Sequence, residues 1–301
     1  MDWRRHLLAL DHRYSEIFHG SALSHEPNLH CVLVYDNGHT WEHYAGKAHS
    51  DELISLYSIT KSFVALGFYR AIQELGESIL QESVLPLLQD RILHKDSRKE
   101  KWTIQHLLSQ TSGLKWREMG AKWGEGNPLY EMENSKDWVS HVLSQPCIAD
   151  PGRHFNYSSG VSHLLPTWIA KKFKTSSDVF FVERVLYPLH IDSFRWDTDP
   201  QEELSGGRGL WLKGSDLLNA GIQLLDYLDW FTLCFSNRVR AMQSIGDYGL
   251  HWWLGKEGEF IAMGFGGKLL YLNILKRKVV VVLGNMGKNS FFLPLEYARM
   301  V

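Results

Sequence analysis

The sequence predicts an α+β fold: an antiparallel sheet drawn from both chain ends, flanked by helices, with an all-helical domain inserted between them. Three observations predict it. Strand-like runs occur near the start, at 29–35 and 40–45, and again near the end, at 248–254, 259–263, 268–275 and 278–284. The stretch between them reads mostly as helix. The chain has 301 residues, 44% of them apolar and 22% charged, which suffices for a substantial core. Strands separated by a long helical stretch pair across it, so the helical part becomes an insertion. This divides the chain into an α/β domain, residues 1–75 and 205–301, and an inserted helical domain, residues 76–204.

Each element has a local reason. At the start, Trp3, Leu7, Leu10, Tyr14 and Ile17 recur at helical spacing. They predict an amphipathic helix packed on the body of the protein. Residues 29–35, LHCVLVY, and 40–45 flank Asp36-Asn37-Gly38, a hairpin turn signal. Residues 58–76 read as a helix whose apolar positions are Ile59, Phe63, Leu66, Tyr69, Ile72 and Leu75, stopped at Gly76. Helices then dominate to about residue 200, with loops around 111–135 and 146–156. The last two strands form a hairpin about Lys276-Arg277.

Composition excludes several functions. The 32 basic and 34 acidic residues give a net charge of -2, so the basic excess of a general nucleic-acid binder is missing. No run of about 20 apolar residues predicts a membrane span. Cys31, Cys147 and Cys234 are an odd number and far apart, which excludes a disulfide scaffold. With no apolar h-region or small-residue cleavage site at the start, the expectation is a cytoplasmic protein. The 15 His are scattered without HExxH or a related spacing, so no metal is expected. GxSxG, GxGxxG and GxxxxGK[ST] are absent as well, and no cofactor is expected.

The chemistry begins at Ser58-Ile59-Thr60-Lys61. A serine hydroxyl is a poor nucleophile until a base takes its proton. Lysine can do so when its amine is neutral, which requires burial or nearby positive charge. On a helix, residues i and i+3 share a face, so this spacing brings hydroxyl and amine together. The pattern alone is weak: 26 Ser and 17 Lys yield roughly 1.5 such pairs by chance. Two occur, Ser58/Lys61 and Ser112/Lys115. Ser112 sits in a turn-like Thr-Ser-Gly segment, whereas Ser58 opens an apolar-periodic helix, where the plain alternative is an N-cap.

Several stretches, in order, resemble the serine β-lactamase and penicillin-binding-protein superfamily. The likeness is strongest to its branch of class C β-lactamases, D-alanyl-D-alanine carboxypeptidases and family VIII esterases. YSITKSFVALGFYRAIQELG is similar to the nucleophile helix of that family. WTIQHLLSQTSGL (102–114), PGRHFNYSSGVSHLL (151–165), LYPLHI (186–191) and SGGRGLWLKGSDLL (205–218) resemble its later segments. YGLHWWL and GFGGKLLYLNILKRKVVVVLGN resemble its closing strands. The resemblance implies a serine hydrolase working through a Ser58 acyl-enzyme, with Lys61 as partner base. Tyr157 matches the tyrosine of the second motif, and a phenol beside an ammonium is expected to favour its anion and act as a base. The resemblance also implies an oxyanion hole made by the Ser58 N–H and one near Gly267.

Two departures shape the substrate expectation. Ser159 stands where relatives carry Asn in the second motif. The third motif, normally Lys-Thr-Gly or His-x-Gly, is matched by Gly264-Phe265-Gly266-Gly267-Lys268 in preference to Lys256-Glu257-Gly258. There Phe265 replaces the cation that would hold a substrate carboxylate; Lys268 and Arg208 are the two cations that could replace it. The expected substrate-binding residues are Ser159, Phe265, Gly266 and Gly267, with Trp116 and Trp123 from the loop 114–135. The expected partner is a small-molecule substrate, an ester or amide. The rival readings are a true β-lactamase or D,D-peptidase, and a catalytically weak penicillin- or peptide-binding protein.

Overall fold

A computed structural model describes residues 3–92, 96–287 and 290–301, with side chains from Leu8 onward in the first helix. Trp3 and Leu7 of the predicted apolar face therefore lie outside the described side chains. The strands are β1 (Leu29–Asp36), β2 (His39–Tyr44), β3 (Ile54–Ser55), β4 (Phe194–Trp196) and β5 (Leu210–Leu212). They continue as β6 (Val239–Met242), β7 (Gly246–Gly249), β8 (Trp252–Leu254), β9 (Glu259–Gly264), β10 (Lys268–Asn273) and β11 (Lys278–Gly284).

Eight of them form one antiparallel sheet in the order β2-β1-β11-β10-β9-β8-β7-β6. The chain ends meet where β1 pairs with β11, in a register running from Leu29↔Gly284 to Asp36↔Lys278. Side chains alternate across this sheet. Cys31, Leu33, Leu270, Leu272, Val279 and Val281 point into the larger apolar cluster, where the helix Gly214–Leu224 packs on them. Val32, Val34, Leu269, Tyr271 and Val280 point to the other face. There Tyr14 and Phe18 of the helix Trp3–His19 cover them, with Leu295 and Tyr297 of the helix Leu293–Met300.

The helix Thr60–Leu75 is buried on nearly every side, as befits a helix apolar all round. It packs against the helix Ser159–Phe173, with the rings of Phe68 and Trp168 stacked at 6.0 Å. A second, three-stranded sheet, β3-β5-β4, bridges the chain just before and just after these helices. Leu56 N–H donates to Leu210 O at 2.8 Å. This fixes the turn that carries Ser58 beside the segment that carries Gly207.

Three sequence readings change here. The helix expected over 58–76 starts at Thr60, and Tyr57–Ile59 is a single 3₁₀ turn. The strand expected over 248–254 is broken into β7 and β8 by Leu250 and His251, both in the left-handed region at φ 48° and 66°. His251 is buried, and both its backbone N–H and its Nδ1 bond Leu108 O. A tertiary contact thus imposes a turn on residues with no turn chemistry. The loop expected over 111–135 contains a short helix, Pro128–Glu133, capped by the Asn127 side chain.

Candidate active site

Lys61 is the centre of the site. Its side chain is 1% exposed. The Nζ donates to Ser58 Oγ at 3.1 Å, to Ser159 Oγ at 2.9 Å and to Gly207 O at 2.7 Å. Three hydrogens thus meet three acceptors supplied by three separate segments. Burial pushes the amine down to about 8. The charge of Glu118 opposes that shift, and the charge of Arg208 adds to it. A lysine near 8 is partly neutral in ordinary buffer, the state a base requires.

Ser58 lies in the 3₁₀ turn, and its side chain caps no helix; the cap of Thr60–Leu75 is Ile59. Tyr57, immediately before it, is held at φ 48°. A bulky residue there is strained, and such strain gathers at functional sites. Ser112 behaves otherwise. It is buried, its Oγ accepts the Leu114 N–H, and Lys115 points to solvent.

Tyr157 packs beside this group, with Lys61 Nζ 4.7 Å from its ring centroid. The expectation of an anionic phenol is not met. Burial pushes its pKa up, only partly offset by the hydroxyl of Ser58, and the Glu118 charge adds to the rise. Tyr157 is a neutral phenol that can give or relay a proton.

Glu118 was not anticipated from the sequence. Its Oε1 accepts the Ser159 hydroxyl at 2.7 Å. Its Oε2 accepts the Ser159 N–H at 2.8 Å and the Trp116 indole N–H at 2.6 Å. Trp116 is 3% exposed and lies against Gly160. It is a buried support for Glu118, which corrects its expected place on a substrate wall. The only available signal was the Trp-x-Glu spacing after Thr-Ser-Gly, and nothing local says where that carboxylate goes.

The third-motif segment meets the Ser58 turn from the other side. β8 pairs with β9 only at Trp253↔Ile261 and Leu254↔Phe260, so the end of β9 is free of a strand neighbour on that side. Gly264 lies against the Leu56 carbonyl so closely that a Cβ there would collide with it. Lys256-Glu257-Gly258 is at the opposite end of β9. Gly266 and Gly267 fill the β9–β10 turn, where Gly266 O accepts the Met286 N–H at 2.9 Å. Phe265, 58% exposed, rests on Tyr57 with ring centroids 5.6 Å apart. Arg208 lies 5.9 Å from the Tyr57 ring and 5.2 Å from that of Trp123, which is 52% exposed. The exposed wall beside Ser58 is therefore aromatic. Neither candidate cation is free. Arg208 is paired with Glu133, and Lys268 turns inward to the carbonyls of Phe265 and Gly284.

Among the described residues no cluster of His, Cys, Asp or Glu could hold a metal ion, and no helix is long and apolar enough to cross a membrane. The three cysteines are free and buried.

A serine and a buried lysine at the start of a central helix, beside a large antiparallel sheet, define the serine β-lactamase and penicillin-binding-protein-like superfamily. The family model described as Beta-lactamase matches residues 29–298, and the chain belongs to that family. Similar solved structures include EstCE1, a hydrolase with promiscuous acyltransferase activity. It has a TM-score of 0.80 at 15% identity, covering 97% of this chain and 99% of that one. The D-amino acid amidase from Ochrobactrum anthropi SV3 has a TM-score of 0.74 at 14% identity, covering 97% and 98%. A penicillin binding protein from Bacillus halodurans has 0.73 at 14% identity, covering 96% and 100%. At these identities the likeness is one of fold. No curated protein matches the chain.

Proposed function

We propose that the protein hydrolyses small uncharged esters or amides by acyl transfer through Ser58. The observation that carries this reading is the Lys61 cradle: a fully buried amine, pushed down to about 8, within 3.1 Å of the Ser58 hydroxyl. Neutral Lys61 takes the Ser58 proton as Oγ attacks the substrate carbonyl. The bond from that carbon to the leaving oxygen or nitrogen breaks, and the proton passes through Lys61 and Tyr157 to the leaving group. Water then hydrolyses the Ser58 ester, releasing the acid and restoring the hydroxyl. The backbone N–H of Ser58 and one from the turn near Gly267 are assigned to the carbonyl oxygen that becomes negative.

The substrate class rests on charge. Phe265 offers a ring where relatives offer a cation, Arg208 is committed to Glu133 and Lys268 to backbone carbonyls. A carboxylate-bearing substrate would meet an aromatic wall without a free cation and would lack the charge-assisted hydrogen bond that selects such substrates. Similar structures described as a hydrolase with promiscuous acyltransferase activity and as an amidase support acyl transfer without favouring esters over amides. The test is labelling with a fluorophosphonate and mass-spectrometric location of the adduct. Modification of Ser58 is expected; modification of Ser112, or none, would refute the reading.

A further inference from the structure

We propose that Glu118 is a positioning residue that sets the direction of proton transfer between Ser58 and Lys61, acting through the Ser159 hydroxyl. The inference deepens the preceding section and rests on its assignment of Ser58 and Lys61. It follows from counting hydrogens. An ionised carboxylate accepts and cannot donate, whereas a serine hydroxyl has one hydrogen to give. Ser159 gives its hydrogen to Glu118 Oε1 at 2.7 Å. Its oxygen is then left as an acceptor, and Lys61 donates to it at 2.9 Å. Gly207 O, the second acceptor at 2.7 Å, has no hydrogen at all.

A neutral amine keeps two hydrogens and one lone pair. With Ser159 and Gly207 both able only to accept, they take the two hydrogens. The lone pair is left facing Ser58 Oγ, the one partner of Lys61 with a proton to give. If Glu118 were absent, the Ser159 hydroxyl could rotate and donate to the Lys61 lone pair. The base would then be occupied by the wrong serine. Glu118 is well held for this task, because the Ser159 N–H and the Trp116 indole fix its other oxygen at 2.8 and 2.6 Å. A hydroxyl in place of an asparagine amide makes such a control necessary, since an amide oxygen has no hydrogen to misdirect.

The experiment follows the rate at which a fluorophosphonate labels Ser58, a readout that does not depend on the natural substrate. Glu118→Gln and Ser159→Ala should each slow labelling, by roughly 10- to 100-fold for a misdirected base. In a Ser159→Ala background, Glu118→Gln should leave the plateau rate unchanged, because the hydroxyl route is gone, while the influence of its charge on Lys61 persists in the acidic limb. The pH dependence supplies a second readout. Loss of the Glu118 charge removes an influence that holds the Lys61 proton on, so the acidic limb of Glu118→Gln should move to lower pH while the plateau falls. Glu118→Asp, which keeps the charge, should leave the limb in place, and melting curves establish that each variant is folded. Wild-type labelling rates in folded Glu118→Gln would overturn the proposal. So would an undiminished effect of Glu118→Gln on the plateau rate in the Ser159→Ala background, which would mean an action that does not pass through the Ser159 hydroxyl. Failure of the wild-type protein to label at Ser58 would overturn the parent reading, and this proposal with it.

Discussion

Gly207 and Ser159 touch backbone to backbone: a Cβ on Gly207 would lie 2.7 Å from the Ser159 Cβ and 2.8 Å from its carbonyl oxygen. The two acceptors that hold Lys61, Gly207 O and Ser159 Oγ, therefore belong to segments in contact with each other. Gly207→Ala should force them apart. The expected result is a loss of stability of about 1–3 kcal/mol for an overpacked site. Labelling of Ser58 should fall by roughly 100-fold, since displacement near 1 Å is enough to disrupt such geometry. Thermal melting and labelling kinetics on one preparation check both. A variant as stable and as fast as wild type would show that the contact relaxes without moving Lys61.

Ser58→Ala should abolish labelling and hydrolysis and leave the fold intact. The Ser58 side chain caps no helix; it accepts from Lys61 and also interacts with the Tyr157 hydroxyl. Removing it should cost no more than about 1 kcal/mol. Residual turnover with unchanged kinetics would move the nucleophile elsewhere.

The two outcomes trace to different parts of the sequence, and so does what was legible in it. The i,i+3 spacing of Ser58 and Lys61 is a local rule that offered two candidate pairs, and the ordered family-like segments around them singled out this one, even though the helix proper begins two residues later. The alternating strands β1, β10 and β11 were legible for the same kind of reason, a period of two with one apolar face on each cluster. Glu118 was not. It reaches Ser159 from 41 positions away, and a carboxylate in a loop carries no mark of its partner. β3, β4 and β5 are two or three residues long, too short for any period. The turn at Leu250-His251 exists because buried His251 bonds Leu108 O, a contact across 143 positions.

Activity should rise with pH through an apparent pKa near 8, because Lys61 is the base only when neutral and its pKa is pushed down to about 8. Stability carries the same sign. The unfolded chain holds this proton up to about 10.5, so the folded state binds fewer protons between pH 8 and 10.5. The penalty for burying the amine is present in full below pH 8 and is relieved as pH rises through that window. For Lys61 alone it amounts to about 3 kcal/mol. Lys268, also pushed down to about 8 by burial, contributes in the same direction. The buried thiols of Cys31, Cys147 and Cys234, pushed up by burial, act in the opposite direction above about pH 9, so the Lys61 contribution is read as a difference: in denaturant titrations from pH 7 to 10.5, wild type should gain stability relative to Lys61→Met as pH rises. An activity profile flat from pH 6 to 10 would exclude Lys61 as the base.

The last prediction concerns charge in the substrate. Phe265 is exposed beside Tyr57 and does not turn into the core, so a substitution there changes the wall next to Ser58 and not the packing beneath it. Wild-type protein should turn over a p-nitrophenyl ester with a higher kcat/KM than a chromogenic cephalosporin. Phe265→Lys and Phe265→His should move the ratio toward the cephalosporin. A charge-assisted hydrogen bond contributes about 1.5–3 kcal/mol, which corresponds to roughly 10- to 150-fold in the ratio. Lysine should act over the whole working pH range, and histidine only where it is protonated, below about pH 6.5. A separate route to the same selectivity is Glu133→Gln, which frees Arg208 from its ion pair beside Trp123 and Tyr57. If Arg208 is the latent carboxylate partner, Glu133→Gln alone should raise cephalosporin turnover with Phe265 untouched. A wild-type preference for the cephalosporin would refute the argument from Phe265 and place the carboxylate on Arg208 or Lys268.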